Sequence, residues 1–384
     1  MRKSALLAFG LVVAMIVALG LIVLSSASEA NAVRLHNDAY FFMKRQFAYL
    51  VGGIVIAVAT ALFDYRKWRD HVFLTWFAYG LVFLMLLAVF PPLGRAINGS
   101  YRWINLGPLN LQPSEFAKLF TVIVLAVWLD RAGWRVELFK YGAVIPALLI
   151  GVLAAPVMLE PDFGSTMVIG VAGFLVMLIA GVRMLHMLPF FALGGAALVY
   201  KVATNANRMA RIAAFFGIKI EVGAEVMDAA AMRAAYQADQ ALVAIGNGGL
   251  WGVGLGQSMQ KHYYLPEAHT DFIFAIGAEE LGLPFSVGTL VLFIAFFCLA
   301  LYIACKASDR LGRFLVMGMA FIIFFQAMFN IGVVCKALPT KGMALPFFSY
   351  GGTNMLSAFF AVGTILSVGI HSYTDDRKRK ILHG

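Results

Sequence analysis

The residues most able to carry out a reaction lie in one stretch, YYLPEAHTDFIFAIGAEELG, at positions 263–282. Five ionisable side chains stand there at the mouth of a long apolar segment that begins at Phe272: Glu267, His269, Asp271, Glu279 and Glu280. Ionisable groups at membrane depth are costly, so such a cluster indicates a functional site. Asp271 would lie where water ends, and partial desolvation would raise its pKa and make it a better general base.

Simpler interpretations exist for each of these residues. Asp is a favoured N-cap residue, so Asp271 could only begin the following helix. A single histidine at an interface, such as His269, is more often a hydrogen-bonded structural residue. Glu279 and Glu280 lie about two turns deeper and could brace neighbouring helices.

A second polar segment is GSYRWINLGPLNLQPSEFAK, at residues 99–118. Gly-Pro and Gln-Pro steps interrupt it, and Pro113 suits the first turn of the next helix. Glu115 and Lys118 are three residues apart on that helix and can pair. A buried pair of this kind also serves structure alone, so both interpretations stay open.

A third segment, LPTKGMALPFFSYGG at 338–352, has two prolines and three glycines within apolar sequence. That composition predicts non-helical backbone at membrane depth, which is tolerated only where protein buries it or where it lines a wet cavity. Lys341 at its centre is a candidate counter-charge for Asp271 or for an anionic ligand. Ser349 supplies a hydroxyl group.

The rest of the chain excludes several kinds of site. The glycines at 252, 254 and 256 have no strand–turn–helix context, which argues against a nucleotide-binding loop, and no Walker A motif is present. Three cysteines form no metal-ligand spacing, so no metal site is predicted. Arg208 and Arg211 lie one helical turn apart and could grip a phosphate or merely flank a helix end.

Composition identifies a membrane protein. The 384 residues are 61% hydrophobic and 13% charged, against about 25% charged in soluble proteins. Apolar runs predict an all-α polytopic fold with about ten transmembrane helices in one domain, 1–384, and a large outward loop at 204–271 between spans 7 and 8. The spans are placed near 5–25, 47–63, 72–91, 113–130, 141–158, 163–182, 187–203, 272–304, 314–335 and 352–370. The eighth is too long for one straight span, which predicts a tilt or an extension into water.

Basic residues set the predicted orientation, with both termini in the cytoplasm. Alternate loops carry the topogenic charges: Arg66, Lys67, Arg69, Arg131, Arg135, Lys140, Arg183, Lys306, Arg310 and Arg313. These account for much of the net charge of +10, so the charge does not argue for nucleic acid, and no nucleic-acid motif is visible. The three polar segments then face outward.

Taken together, these segments resemble the SEDS family (shape, elongation, division and sporulation), whose members include FtsW and RodA. The resemblance covers nearly the whole chain, including EPDFGS at 160–165 and GLWGVGLGQSMQKHYYLPEAHTDFIFAIGAEELG at 249–282. LPEAHTDFIFA and LPTKG favour the division-type FtsW branch.

The resemblance implies a peptidoglycan glycosyltransferase that polymerises lipid II on the outer face of the bacterial plasma membrane, for septal or elongation wall synthesis. The family's essential Asp matches Asp271, its loop Lys matches Lys341, and its Glu and Lys of the fourth span match Glu115 and Lys118. It further implies a class B penicillin-binding protein as partner, alongside other divisome or elongasome proteins.

The residues fit that chemistry as an inverting transfer with Asp271 as the single base. Candidate substrate-binding residues are Arg102, Glu115, Lys118, Arg208, Arg211, Glu267, His269, Lys341 and Ser349. No cofactor is established, although a divalent cation, Mg²⁺ or Mn²⁺, could assist the pyrophosphate. The alternative function is a lipid II flippase, because broken helices and buried charges are equally typical of transporters. The absence of an internal repeat and the gathering of charges on one face favour catalysis.

Overall fold

The computed structural model describes residues 2–90, 95–97, 100–105, 107, 110–160, 162–204, 209, 211–212, 215–216, 224–262, 264–339 and 341–383. The helices within these ranges are α1 Arg2–His36, α2 Phe41–Leu62, α3 Lys67–Asp70, α4 Val72–Ala88, α5 Pro113–Ala132, α6 Ile145–Leu159, α7 Phe163–Ile179, α8 Met184–Ala203, α9 Ala224–Gly248, α10 Ile273–Cys305, α11 Arg310–Val334 and α12 Gly352–His383. A 3₁₀ turn at Gly133–Glu137 and a π-helical stretch at Phe139–Val144 lead into α6.

The predicted helical membrane fold is confirmed. Each of the ten predicted spans coincides with a described helix, and seven of these are long and apolar enough to cross a membrane. Two more, α4 and α7, are apolar but shorter. The remaining helix among the ten is α5, the fourth predicted span. It contains Glu115, Lys118 and Asp130, and it is nonetheless buried along most of its length. The chain is therefore a multi-pass membrane protein.

Helix α10 is broken, which corrects the expected tilt or extension of the eighth span. Gly282 adopts φ 67° and ψ −155°, a conformation that a side chain would strain, and Pro284 lacks the N–H that would continue the helix. The loop after α9 runs into this break. Three backbone bonds of 3.0–3.1 Å satisfy the groups left over: Val253 N–H to Glu279, Gly254 N–H to Glu280, and Leu283 N–H to Gly249.

The described residues between 95 and 111 form a small antiparallel sheet in the order β1–β2–β3. The strands are β1 Arg95–Ile97, β2 Ser100–Asn105 and β3 Asn110–Leu111. Strand β3 runs almost directly into α5, where Pro113 occupies the first turn as the sequence predicted. The sheet thereby places Arg102 beside the end of α6.

Helix α9 lies within residues 204–271, the region that the sequence predicts to face outward. Lys336, just after α11, pairs with Asp239 of α9 at 2.7 Å. Helix α9 is therefore anchored both to the break in α10 and to the end of α11.

The opposite end of the bundle holds a separate ionic network. Arg66 pairs with Asp375, and Arg69 lies 3.3 Å from Asp130 and 3.4 Å from Asp309. These residues lie in or beside the loops that the distribution of basic residues assigns to the cytoplasm. The described residues of the polar segments 99–118, 263–282 and 338–352 come together at the other end, where Tyr350 N–H bonds to His269 and the charge of Arg102 acts on Asp271.

Candidate active site

Asp271 ends a tight turn immediately before α10. The turn is closed by bonds from the N–H groups of Thr270 and Phe272 to the carbonyl of Glu267, at 3.1 and 3.2 Å. Glu267 adopts a positive φ of 58°, which is uncommon for a residue with a side chain. The turn therefore holds Asp271 in non-helical backbone at the mouth of the span.

The electrostatic environment of Asp271 suits a base. Burial raises the pKa of Asp271 to about 7, and the neighbouring charges of Glu267 and Asp162 add to the rise. Arg102 and Arg211 act in the opposite direction, favouring the ionised carboxylate. A carboxyl group with a pKa near the working pH can accept a proton and release it again.

Lys341 lies beside the start of α7. Its ammonium nitrogen is 5.7 Å from the centre of the Phe163 ring, and a Cβ atom on Gly164 would come within 2.7 Å of it. Among the charges that lower the pKa of Asp162, that of Lys341 has the largest effect. The cations that act most on Asp271 are Arg102 and Arg211. Of the two roles that the sequence left open for Lys341, counter-charge for Asp271 or for an anionic ligand, the second is therefore favoured.

Two acidic residues of the site, Glu160 and Asp162, were missed among the candidates. They flank Pro161 between α6 and α7, in the EPDFGS motif that was noted only as part of the resemblance. An acidic pair at the junction of two apolar spans was the signal that could have found them, by the same cost of burying charge that singled out Asp271.

Asp162 is an ionised, well-satisfied carboxylate. It accepts hydrogen bonds from Ser165 N–H at 3.3 Å, Ser114 at 3.3 Å and Gln112 at 3.4 Å. Burial alone would raise the pKa of Asp162, but the positive charges of Lys341 and Arg102 outweigh it and lower the pKa below its usual range.

Glu160 contrasts with its neighbour. It is fully buried, and neither carboxylate oxygen has a hydrogen-bond partner among the described residues. Burial raises the pKa of Glu160 to about 8, with a further rise from Asp162 and a reduction from Arg102. Burial therefore favours the protonated form of Glu160.

Arg102 connects these acids. Its Nε donates to the backbone carbonyl of Glu160 at 3.3 Å, and its charge lowers the pKa values of Glu160, Asp162 and Asp271 alike. Arg211 is near enough to Asp271 to lower that pKa as well. Arg208, the other arginine of the predicted pair, lies outside the described residues.

Glu115 and Lys118 form a buried pair one turn into α5. The ammonium of Lys118 is 2.7 Å from one oxygen of Glu115, and Ser357 donates to the other at 3.2 Å. Both carboxylate oxygens are thus occupied, which favours the structural interpretation. The charge of Lys118 still lowers the pKa of Asp162, so the pair contributes to the potential of the site.

His269 and Ser349 have partners inside the protein. The His269 ring lies 4.9 Å from that of Phe42, and its Nδ1 is 3.3 Å from the amide of Asn31. Burial lowers the pKa of His269, which favours the neutral form of the ring. Ser349 donates to the carbonyl of Thr270 and accepts from Leu345 N–H, both at 2.7 Å. These contacts give both residues packing and positioning roles, and their contact with substrate stays a prediction.

Glu279 and Glu280 brace the break in α10, as the simpler interpretation predicted. Lys261 lies 3.2 Å from Glu280, Ser26 of α1 donates to the same oxygen at 2.5 Å, and Ser258 bonds to Glu279. Removing one partner of such a buried pair typically costs about 3–5 kcal/mol. The network ties α1 and the loop before Asp271 to α10.

The comparison with family models matches residues 6–374 to the FtsW/RodA/SpoVE cell cycle proteins. A probable peptidoglycan glycosyltransferase FtsW of Geobacter metallireducens is 36% identical, covering 91% of this chain and 90% of that protein. One of the same name from Coxiella burnetii is also 36% identical, over 92% and 93% of the two chains.

Solved structures agree with the sequence relatives. A chain of a peptidoglycan synthase complex that coordinates polymerization and crosslinking superposes with a TM-score of 0.72 at 27% identity, covering 95% of this chain and 97% of that one. The rod shape determining protein RodA of Thermus thermophilus gives a TM-score of 0.66 at 27% identity, over 95% and 96% of the two chains. On the match to the family model and on its relatives, this chain belongs to the FtsW/RodA/SpoVE family.

Proposed function

We propose that this protein is a peptidoglycan glycosyltransferase that polymerises lipid II, with Asp271 as its general base. The observation that carries the proposal is Asp271 itself, whose pKa is raised to about 7 by burial beside Arg102 and Arg211. The names of the relatives support the reaction class. The gathering of acidic and basic side chains at one end of the bundle supports surface catalysis over transport.

The reaction follows from the charges. Asp271 accepts the proton of the acceptor's GlcNAc 4-hydroxyl as that oxygen attacks C1 of the donor's MurNAc. The new C1–O bond forms as the bond from C1 to the phosphate oxygen breaks. Undecaprenyl pyrophosphate leaves with the electron pair, and the anomeric centre inverts. One base suffices because the leaving group is stabilised by its own phosphates and by cations.

Three cations are available for the pyrophosphate: Arg102, Arg211 and Lys341. Guanidinium groups recognise phosphates with paired hydrogen bonds, whereas the Lys341 ammonium acts as a point charge. The charge of Lys341 acts on the buried carboxylate of Asp162, so this lysine belongs to the same electrostatic environment as the acidic residues of the site. These three cations would bind the phosphates, and Asp271 would transfer the proton.

A divalent cation could bind beside the substrate pyrophosphate, at Glu160 and Asp162. Among the described residues, no group of three or more metal-ligating side chains is assembled. Mg²⁺, however, is commonly held by one or two carboxylates together with substrate phosphates and water. The carboxyl oxygens of Glu160 lack hydrogen-bond partners among the described residues, so Glu160 would fit that role, together with Asp162, on losing its proton to solvent as the ion binds. The ion would neutralise charge on the departing pyrophosphate. Mg²⁺ should then raise the unfolding temperature of the wild type more than that of Glu160→Gln.

We place the site on the outer face of the bacterial plasma membrane, with both termini in the cytoplasm. The supporting observation is the ionic network of Arg66 and Arg69 at the opposite end, in loops rich in basic residues. Cysteine labelling tests this in a background lacking Cys298, Cys305 and Cys335, which are all exposed. Gln240→Cys should react from outside and Arg310→Cys from inside. Labelling of both from one side would refute the topology.

A class B penicillin-binding protein is the proposed partner, within a larger assembly of division or elongation proteins. Support comes from the likeness to a chain of a peptidoglycan synthase complex. Affinity purification from native membranes should recover a transpeptidase with this chain. Purification of the chain alone, with full polymerase activity, would argue against an obligatory partner.

The deciding experiment for the function is polymerisation of purified lipid II, with and without the transpeptidase. Glycan strands that lysozyme digests should appear with the wild type and be lost with Asp271→Asn. The flippase alternative predicts a different outcome, namely transfer of labelled lipid II between vesicle leaflets without strand formation. That result would overturn the polymerase assignment.

A further inference from the structure

The backbone that carries Asp271 is held from outside its own helix. Three successive carbonyls accept hydrogen bonds from residues that precede or follow the short stretch 341–343, here called the Lys341 segment. They are His269 from Tyr350 N–H at 3.0 Å, Thr270 from Ser349 Oγ at 2.7 Å, and Asp271 from Asn330 Nδ2 at 2.7 Å. The position of the base therefore depends on the C-terminal part of the chain.

Asn330 makes the most informative of these contacts. Its amide nitrogen donates to the carbonyl of Asp271 and also to that of Met343, both at 2.7 Å. Asn330 belongs to α11 and is only 2% exposed. Two carbonyl acceptors fix which end of the amide is nitrogen, because the opposite orientation would set three oxygens against one another.

The two carbonyls belong to the two segments that bear the reactive charges. Met343 lies two residues after Lys341, and Gly342 between them packs against the carboxylate of Asp271. One buried side chain thus sets the spacing between the segment of the base and the segment of the cation. No chemical step requires Asn330 itself.

We infer that Asn330 is a positioning residue, which holds Asp271 and the Lys341 segment at the separation that the transfer reaction needs. The inference rests on the proposed function, because it presumes that Asp271 is the base. Without the amide, two buried carbonyls lose their donor, and such groups are satisfied by water when water can reach them. Separation of the two segments would admit that water beside Asp271.

The test compares Asn330→Ala with Gln326→Ala, a matched control. Gln326 is also a buried amide, 5% exposed, one turn earlier on α11. Polymerisation of lipid II should fall about 10–100-fold in kcat for Asn330→Ala, because small displacements of reacting groups carry penalties of that size. KM should change less than about twofold, since the cations remain. Gln326→Ala should keep the wild-type kcat.

The pH–rate profile separates positioning from general damage. Hydration of Asp271 would relieve the burial that raises its pKa, so the acidic limb of Asn330→Ala should move to lower pH. Wild-type kcat with an unmoved limb would overturn the inference. So would an equal loss of kcat in both variants with both limbs unmoved, since that outcome marks a packing defect of α11.

Two further measurements keep the test decisive. If Asn330→Ala does not fold, Asn330→Leu fills the same volume without any donor and should show the same lower kcat and shifted limb. Wild-type behaviour of Asn330→Leu would equally overturn the inference. Asp271→Asn is measured alongside: full activity in that variant defeats the proposed function, whereas an inactive Asp271→Asn with a normal Asn330→Ala defeats only the positioning role.

Discussion

Gly342 packs directly against the carboxylate of Asp271, so closely that a Cβ atom at position 342 would overlap Oδ2. The glycine is the residue after Lys341 in the LPTKG motif. The motif therefore places its glycine, which has no side chain, against the base, while the charge of its lysine acts on Asp162. The sequence alone left open whether Lys341 is a counter-charge for Asp271 or for an anionic ligand, and it did not indicate the contact of Gly342.

Gly342→Ala should lower polymerisation by about tenfold or more, since the added methyl group would displace the Asp271 carboxylate and misplacement of a reacting group is costly. The matched control is Gly351→Ala in the same segment, where the nearest neighbour of the new Cβ would lie at an ordinary 3.7 Å. Initial rates on purified lipid II measure both variants. Equal rates in the two would contradict the close packing at Gly342.

Lys341→Ala should reduce activity about tenfold or more, because a charge-assisted hydrogen bond to the pyrophosphate is worth about 1.5–3 kcal/mol. A double-mutant cycle with Asp162→Asn separates two ways of acting. If Lys341 contacts the substrate, activity should stay low in the double variant. Recovery of activity when both charges are removed would show instead that Lys341 only neutralises Asp162.

The raised pKa of Glu160 should make the free energy of unfolding depend on pH. Its pKa is raised to about 8 in the folded protein, so between its ordinary pKa and pH 8 the folded state retains a proton that the unfolded state releases. Stability should therefore decrease as pH rises from about 5 to 8, by about 1.4 kcal/mol for each unit of pKa difference.

Unfolding temperatures measured in chelator at several pH values test this. Glu160→Gln should flatten the decrease, because its amide does not titrate. Asp162→Asn should lower the unfolding temperature at neutral pH. The pKa of Asp162 is lowered in the folded protein, so its ionised form stabilises the fold, and the asparagine cannot ionise. Parallel curves for wild type and Glu160→Gln would show that Glu160 is ionised or hydrated.

The sequence predicted the membrane architecture well because apolar length is a property of each segment by itself. It also located Asp271, whose position at the edge of an apolar run marks the cost of burial. The break at Gly282 could not be foreseen, because its unsatisfied groups are paired by residues 249–254, which lie apart in sequence.

The roles of individual side chains were less predictable for the same reason. Ser349 was expected to face the substrate, yet its hydroxyl is occupied by Thr270 and Leu345. Asn330 is a polar residue within an apolar span, and nothing in the sequence around it indicates that it joins the two reactive segments. Such partners come from long-range packing, which residue types and spacing do not encode.

The most direct test of the account is the pH–rate profile of lipid II polymerisation by Asp271→Asn beside the wild type. The wild-type rate should rise with pH through about 7, as the carboxyl group loses its proton. Asp271→Asn should lose about 10²–10⁴-fold in rate and lack that rise, while still inserting and binding lipid II, because general base catalysis supplies about that factor. A variant with near wild-type rate and an unchanged acidic limb would contradict Asp271 as the base.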